Sequence, residues 1–226
     1  MTEGIGFFCG LTMRWFRDAF CEREKEIAAQ QGVDPYHLLE KQAANVPPGS
    51  NGVIPIFSDI MNAKKWLHAS PSFVQFDMNK PQNSGKKECF RAIEESAAYV
   101  AWGHLKIIES ITRRRAKEIA LCGGASMGFL WPQILADVFG IPIRVPVVKE
   151  STALGAAICA GVGVGIFPNL RDTAKRLVRW ERTFEPNENY HKQYVRLYKQ
   201  WSEVYGRMVD MVENGLLRPL WRAAGT

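Results

Sequence analysis

The sequence lacks any Cys-x-x-Cys pair, and none of its histidines (His37, His68, His104, His191) is spaced with a cysteine as a zinc ligand would be. Its five cysteines, Cys9, Cys21, Cys89, Cys122 and Cys159, are odd in number and widely scattered. A disulfide framework and a structural metal site are therefore excluded, and reduced, mostly buried thiols in a cytoplasmic setting are expected. No basic start followed by an apolar segment opens the chain, so no signal peptide is expected. The longest apolar run, Ala153–Pro168, contains Gly155, Gly161, Gly163 and Gly165. It falls short of the ~18–20 residues that a membrane span needs, so no membrane partner is expected, and it reads instead as a buried helix packed closely on a sheet. Internal repeats, low-complexity stretches and a nucleophile elbow are also missing. Paired catalytic carboxylates are not evident: Asp18, Asp59 and Asp77 stand in unrelated contexts, and Asp59, at the end of a predicted strand, is the best local candidate for a polar contact.

A net charge of +6 permits affinity for phosphates without requiring it. The densest basic run, Arg113-Arg114-Arg115-Ala116-Lys117, has no aromatic platform beside it and reads as a solvated turn whose cations favour a helix C-terminus. Nucleic acid is thus not an expected partner. With 46% hydrophobic and 23% charged residues in 226, the chain can bury a sizeable core. Seven Trp and twelve Phe supply large anchors for that core and for an interface.

Periodicity predicts a helix from Leu11 to about Gln31, strands at Gly52–Phe57 and Ser72–Met78, and a helix over Lys86–Ser110. A further helix is predicted from a cap at Asp172 through Arg179. Pro186 and Asn187 then break the chain before a long helix from about Asn189 to Glu213. Between these lies the most informative stretch. The apolar run Ile119–Cys122 ends at Gly123-Gly124-Ala125-Ser126 and feeds an amphipathic segment, then a strand, then a glycine-alanine helix. A glycine turn between strand and helix lets a ligand approach the backbone closely, with the positive helix end behind it. That arrangement suits a nucleotide, although neither the Gly-Lys-Ser/Thr of a Walker A loop nor GxGxxG is present there.

The same residues carry a resemblance. Gly123-Gly124-Ala125, Trp131, Gln133, Ala136-Asp137, Gly140-Ile141-Pro142, Glu150 and Leu154-Gly155-Ala156-Ala157 follow without a gap the adenosine-binding region of the FGGY carbohydrate kinases. The resemblance extends over essentially the whole chain, and 3–21, 46–59 and 176–187 resemble most a subgroup acting on a small polyhydroxy-dione. It implies an α/β fold of the actin-like ATPase (ribonuclease H-like) type, a mixed sheet flanked by helices. It also implies ATP and Mg as cofactors, a small carbohydrate-like substrate, and phosphoryl transfer to a substrate hydroxyl. By the same resemblance Gly123, Gly124 and Ala125 contact the nucleoside, and Gly128 falls where relatives place a polar adenine contact that a glycine cannot supply. Such kinases begin with an Asp-x-Gly-Thr turn on a first domain, and none occurs here. The expectation is therefore a C-terminal kinase domain over 1–170 with a helical extension over 171–226. The N-terminal kinase domain and the catalytic base are expected to be supplied from elsewhere, and self-association through the uncovered face is a further expectation.

Plainer readings compete at several positions. Gly123-Gly124 alone could be only a tight turn. Asp137 reads as a residue pairing locally in preference to a metal ligand, Glu150 as a carboxylate placed on a helix dipole, and Trp131 and Trp180 as packing residues. Two functions stay open at this point: the nucleotide-side half of a kinase, acting on the dione or on another sugar such as xylulose or glycerol, and a non-catalytic nucleotide-binding or regulatory module or gene remnant.

Overall fold

The computed structural model describes residues 9–58 and 67–224. Asp59, singled out above, lies outside the described residues. Two short helices, α1 (Cys9–Phe20) and α2 (Glu22–Gln31), stand where one was expected. The break falls at Cys21, whose φ of −119° and ψ of 40° leave the helical region. Cys21 is fully buried, so the bend lets both helices turn their apolar faces inward.

Helix α3 (Pro35–Ala43) begins at Asp34-Pro35: the Asp34 carboxylate accepts a hydrogen bond from the Tyr36 N–H at 2.8 Å, and Pro35 occupies the first turn. Strand β1 (Ile54–Ile56) follows, then β2 (Leu67–His68) and β3 (Ser72–Val74). β1 and β3 pair antiparallel with Ile54 opposite Val74. The long helix α4 (Lys86–Thr112) packs against α1, α3 and β1. It ends at Arg113, the first residue of the basic run, whose φ of 55° leaves the helical region.

Next come β4 (Ile119–Ala120), a single helical turn at Gly124–Met127, α5 (Leu130–Phe139) and β5 (Ile143–Pro146). β4 and β5 are parallel, with Ile119 opposite Ile143. Helix α6 (Ser151–Gly163) packs against α7 (Leu170–Leu177), and β6 (Trp180–Phe184) returns antiparallel to β5. The centre is thus a mixed sheet, β4-β5-β6, with α5 against it. Helix α8 (Glu188–Glu213) packs on α5 and β1, and β7 (Trp221–Arg222) pairs with β2.

Two expectations change here, and one strand forms where none was predicted. Asn169, not Asp172, caps α7: its side chain accepts from the Asp172 N–H at 2.9 Å. Residues 180–184, which carry no apolar alternation, form a strand because β5 offers a free edge to pair with. Helix α6 is not buried on the sheet; only Ile158 and Gly161 are buried along its length. Its composition is apolar while its surface is open, the pattern of an element covered by another body.

The core runs along α4. Phe90, Ile93 and Val100 meet Leu39 from α3, Ile134 from α5, and Tyr194 and Trp201 from α8 in one cluster. The same buried face carries charge. Arg91 Nε donates to Glu95 Oε1 at 2.9 Å, and an Arg91 amino group donates to the Tyr194 hydroxyl at 2.7 Å. The Tyr194 hydroxyl donates to Glu95 Oε1 at 2.8 Å, and the Gly49 N–H and Ser50 hydroxyl donate to the two Glu95 oxygens at 3.0 and 2.9 Å. One carboxylate thus joins α4, α8 and the turn before β1. Gly49, at φ +86°, lies against Leu197 of α8 closely enough to leave a Cβ no room.

No described helix is long and apolar enough to cross a membrane. Removing one partner of a buried ion pair strands the other, at a cost of about 3–5 kcal/mol. Glu95→Ala is therefore expected to lose stability in that range, and Tyr194→Phe about 1 kcal/mol for one hydroxyl. Urea unfolding followed by tryptophan fluorescence tests this: similar losses for the two variants would remove Glu95 from the centre of the network.

Candidate functional site

The turn after β4 is a place where glycine is required. Gly123 sits at φ +81°, and a Cβ at Gly123 or Gly124 would meet no atom within 4 Å, so both positions border open space. The Gly123 N–H donates to the Lys149 carbonyl at 2.9 Å, fastening the turn to the segment behind β5. Buried Ser126 closes the turn from inside, its hydroxyl donating to the Gly123 carbonyl at 2.7 Å.

Two charged side chains from distant segments hold the turn in shape. Glu40 Oε2, from α3, accepts the Phe129 and Leu130 N–H groups at 2.8 and 3.3 Å. These are amides at the start of α5, which lack partners within the helix, and a carboxylate is favoured at that positive end. Arg182, from β6, donates to the carbonyls of Gly128 at 2.9 Å and Ser126 at 2.6 Å. Gly128 lies between these two. A Cβ there would collide with the Glu40 carboxylate, which accounts for glycine at this position.

Beside the turn opens a cavity of about 810 Å³. Its walls are Tyr36, His37 and Glu40 from α3, Phe90 and Glu94 from α4, Trp131 from α5, and Arg182; Gly124, Ala125 and Gly128 form its glycine side. The Tyr36 and Phe90 rings stack at 6.4 Å with 30° between their planes. The Trp131 indole N–H donates to the Glu94 carbonyl at 2.9 Å, so Trp131 both packs and binds the backbone of α4. A largely apolar, aromatic cavity of this size with a few polar groups suits a drug-sized or nucleoside-sized ligand.

Glu94 is the unusual member. It is 1% exposed, and its Oε2 has no hydrogen-bond partner. Burial, reinforced by the Glu40 and Glu95 carboxylates and only partly offset by Arg91, pushes its carboxyl well above the ordinary glutamate range. Asp137 is also raised by burial, but its Oδ1 accepts from Gln133 Nε2 at 2.9 Å and from the Asn187 N–H at 2.8 Å. It ties α5 to the start of α8, away from the cavity, in keeping with the local reading. Among the described residues no group of three or more His, Cys, Asp or Glu side chains is placed to hold a metal ion.

Comparison with known proteins assigns the architecture. The sequence profile of the C-terminal domain of the FGGY family of carbohydrate kinases matches residues 1–164. This chain belongs to the FGGY family. It is 50% identical over 224 residues to the autoinducer-2 kinase of Salmonella paratyphi A, covering 99% of this chain and 42% of that relative. Against the autoinducer-2 kinase of Escherichia coli the identity is 51% over 223 residues, with the same coverage of 99% and 42%. The chain thus spans about two fifths of the length of the curated relatives it matches. Solved FGGY structures share its fold. Gluconate kinase from Lactobacillus acidophilus superposes with a TM-score of 0.72 at 20% identity, covering 91% of this chain and 39% of that one. Glycerol kinase from Plasmodium falciparum, solved with ADP, gives 0.63 at 20% identity, covering 87% and 37%.

Of the positions singled out in the sequence, the fold brings Gly124, Ala125 and Gly128 to the FGGY domain's cavity, with Gly123 in the turn just before them. Glu150 stands at the start of α6, and Trp180 lies under the Arg144 guanidinium at 3.9 Å. Sequence reading missed Glu40, Glu94 and Arg182. Only the Asp34-Pro35 helix start and the acidic Glu94-Glu95 pair inside an apolar helix pointed toward two of them.

Glu40→Ala leaves the half-buried Phe129 amide and the buried Leu130 amide without this partner and is expected to cost about 1–3 kcal/mol. Chemical denaturation checks it, and an unchanged midpoint would mean that α5 starts without Glu40. Glu94 also makes stability depend on pH. Above about 4.3, the ordinary glutamate value, the unfolded chain releases a proton that the folded chain retains, so stability falls as pH rises toward the raised folded value. Glu94→Gln is expected to flatten that decline, and parallel melting curves for both proteins from pH 4.5 to 8 would contradict it.

Proposed function

We propose that this chain is the nucleotide-side part of an ATP-dependent kinase that phosphorylates a hydroxyl of the linear autoinducer-2 precursor, a small polyhydroxy-dione, in cytoplasmic quorum sensing. The observation that carries this reading is the aromatic cavity of about 810 Å³ bordered by the Gly124–Gly128 turn. It sits in a chain half identical to proteins named autoinducer-2 kinase. Gly123, Gly124, Ala125 and Gly128 are the positions we assign to the nucleoside. The open space at Gly123 and Gly124 supports close approach of the backbone, and the absence of a side chain at Gly128 leaves recognition to shape and to groups from other segments.

Phosphoryl transfer needs an oriented hydroxyl, a base for its proton and neutralisation of phosphate charge. ATP supplies the phosphoryl group; this chain's residues bind and orient the base and ribose and exclude water from them. We assign Mg to the nucleotide phosphates and give it no ligand in this chain. The catalytic base and most substrate contacts we place on the N-terminal part of the relatives' length. The apolar, open surface of α6 supports a face that another domain covers, with self-association as its consequence in isolation. Residues 1–170 are read as the kinase domain proper and 171–226 as an extension packed on it.

The isolated chain is expected to bind ATP weakly and to transfer no phosphate to the autoinducer-2 precursor. Mixing it with a separately made N-terminal half is expected to restore transfer. Activity of the chain alone would overturn the placement of the base. No activity in the mixture, with a full-length kinase active in parallel, would favour a non-catalytic nucleotide-binding module.

A further inference from the structure

The buried carboxylates around α4 are almost all answered. Glu95 accepts from Arg91, Tyr194, Gly49 and Ser50. Glu88 accepts from Asn51 and the Gly85 N–H, Glu40 from two amides of α5, and Glu24 from Lys86. Glu94 Oε2 is the one buried carboxylate oxygen among the described residues with no hydrogen-bond partner. It belongs to a cavity-lining residue one turn from Phe90, which lines the same cavity. A buried polar atom without a partner destabilises the free protein, and it is tolerated where a ligand supplies the partner.

Resting on the nucleotide reading above, we propose that the Glu94 carboxyl recognises the base of the bound nucleotide by pairing with the amino-substituted edge of a purine. A carboxylic acid presents one O–H donor and one carbonyl acceptor side by side. An adenine edge presents the complement, a ring-nitrogen acceptor beside an exocyclic amine donor. Desolvation and the neighbouring Glu40 and Glu95 charges hold the proton on Glu94 and so keep the donor in place. An ionised carboxylate would instead face the ring nitrogen with a second acceptor. The stacked Tyr36 and Phe90 rings and Trp131 supply flat walls for the base, and the Trp131 bond to the Glu94 carbonyl holds the backbone that carries the acid. Gly128 offers no polar side chain, and Glu94 provides one that lines the same cavity.

The test compares ATP with purine riboside triphosphate, which lacks the exocyclic amine, by equilibrium dialysis on the full chain. Wild type is expected to bind ATP about tenfold tighter than the analogue, the worth of one hydrogen bond. Glu94→Gln, whose amide also offers a donor beside an acceptor, is expected to keep that preference. Glu94→Leu is expected to bind both nucleotides equally and ATP about tenfold more weakly. In the absence of nucleotide Glu94→Leu should melt no lower than wild type, because it removes an unanswered polar atom. A purely structural Glu94 would lower the melting temperature and leave the preference intact. Equal affinities of wild type for the two nucleotides, or unchanged ATP affinity in Glu94→Leu, would overturn the assignment while leaving nucleotide binding in place. Failure of wild type to bind either nucleotide would overturn the nucleotide reading itself and this inference with it.

Discussion

A single carboxylate in a nearly water-free position, Glu95, decides how the helices of this domain meet. Its two oxygens collect four donors from three separate segments: Arg91 of its own helix, Tyr194 of α8, and Gly49 and Ser50 of the turn before β1. In a low-dielectric interior such bonds are strong when complete and costly when broken, so the three segments are bound to one mutual geometry. Hydrophobic contact alone would let α8 slide along α4, because apolar surfaces attract without direction. The node removes that freedom. It also orients α4, and with it Phe90 and Glu94 toward the cavity.

The candidate site follows from that orientation through a second electrostatic device. Glu40 caps the start of α5 from outside the helix, and Arg182 grips the carbonyls of the preceding turn. Acceptor and donor ends of one backbone segment are thus held by opposite charges from α3 and β6. Of the turn's own side chains Ser126 adds a bond from inside, and the backbone stays available on the open side. Because the charges come from separate layers, the site exists only once α3, α5 and the β5–β6 pair have assembled.

Much of this was readable from local pattern. The strand–turn–helix–strand order over 119–146 and the long helices α4 and α8 follow from apolar spacing and from glycine and proline punctuation, and the FGGY resemblance sits on those same residues. What was not readable had a shared cause. Strand β6 lacks alternation, since its pairing depends on the free edge of β5 and not on its own residues. The break at Cys21 reflects two helices turning onto a common core. Glu40 and Arg182 look like ordinary surface charges in a linear reading, and nothing local distinguishes Glu94 from Glu95 beside it.

By itself the sequence determined the long helices, the central strand–turn–helix–strand unit, the family and the place of the glycine turn, because these depend on residues close together in the chain and on backbone freedom at single positions. Tertiary structure alone decided which carboxylates are partnered, which charges clamp the turn, and that α6 stays open while its composition is apolar. Hydrogen bonding and desolvation are properties of what surrounds a group. For Glu40, Glu94 and Glu95 the surroundings come from residues up to about a hundred positions away.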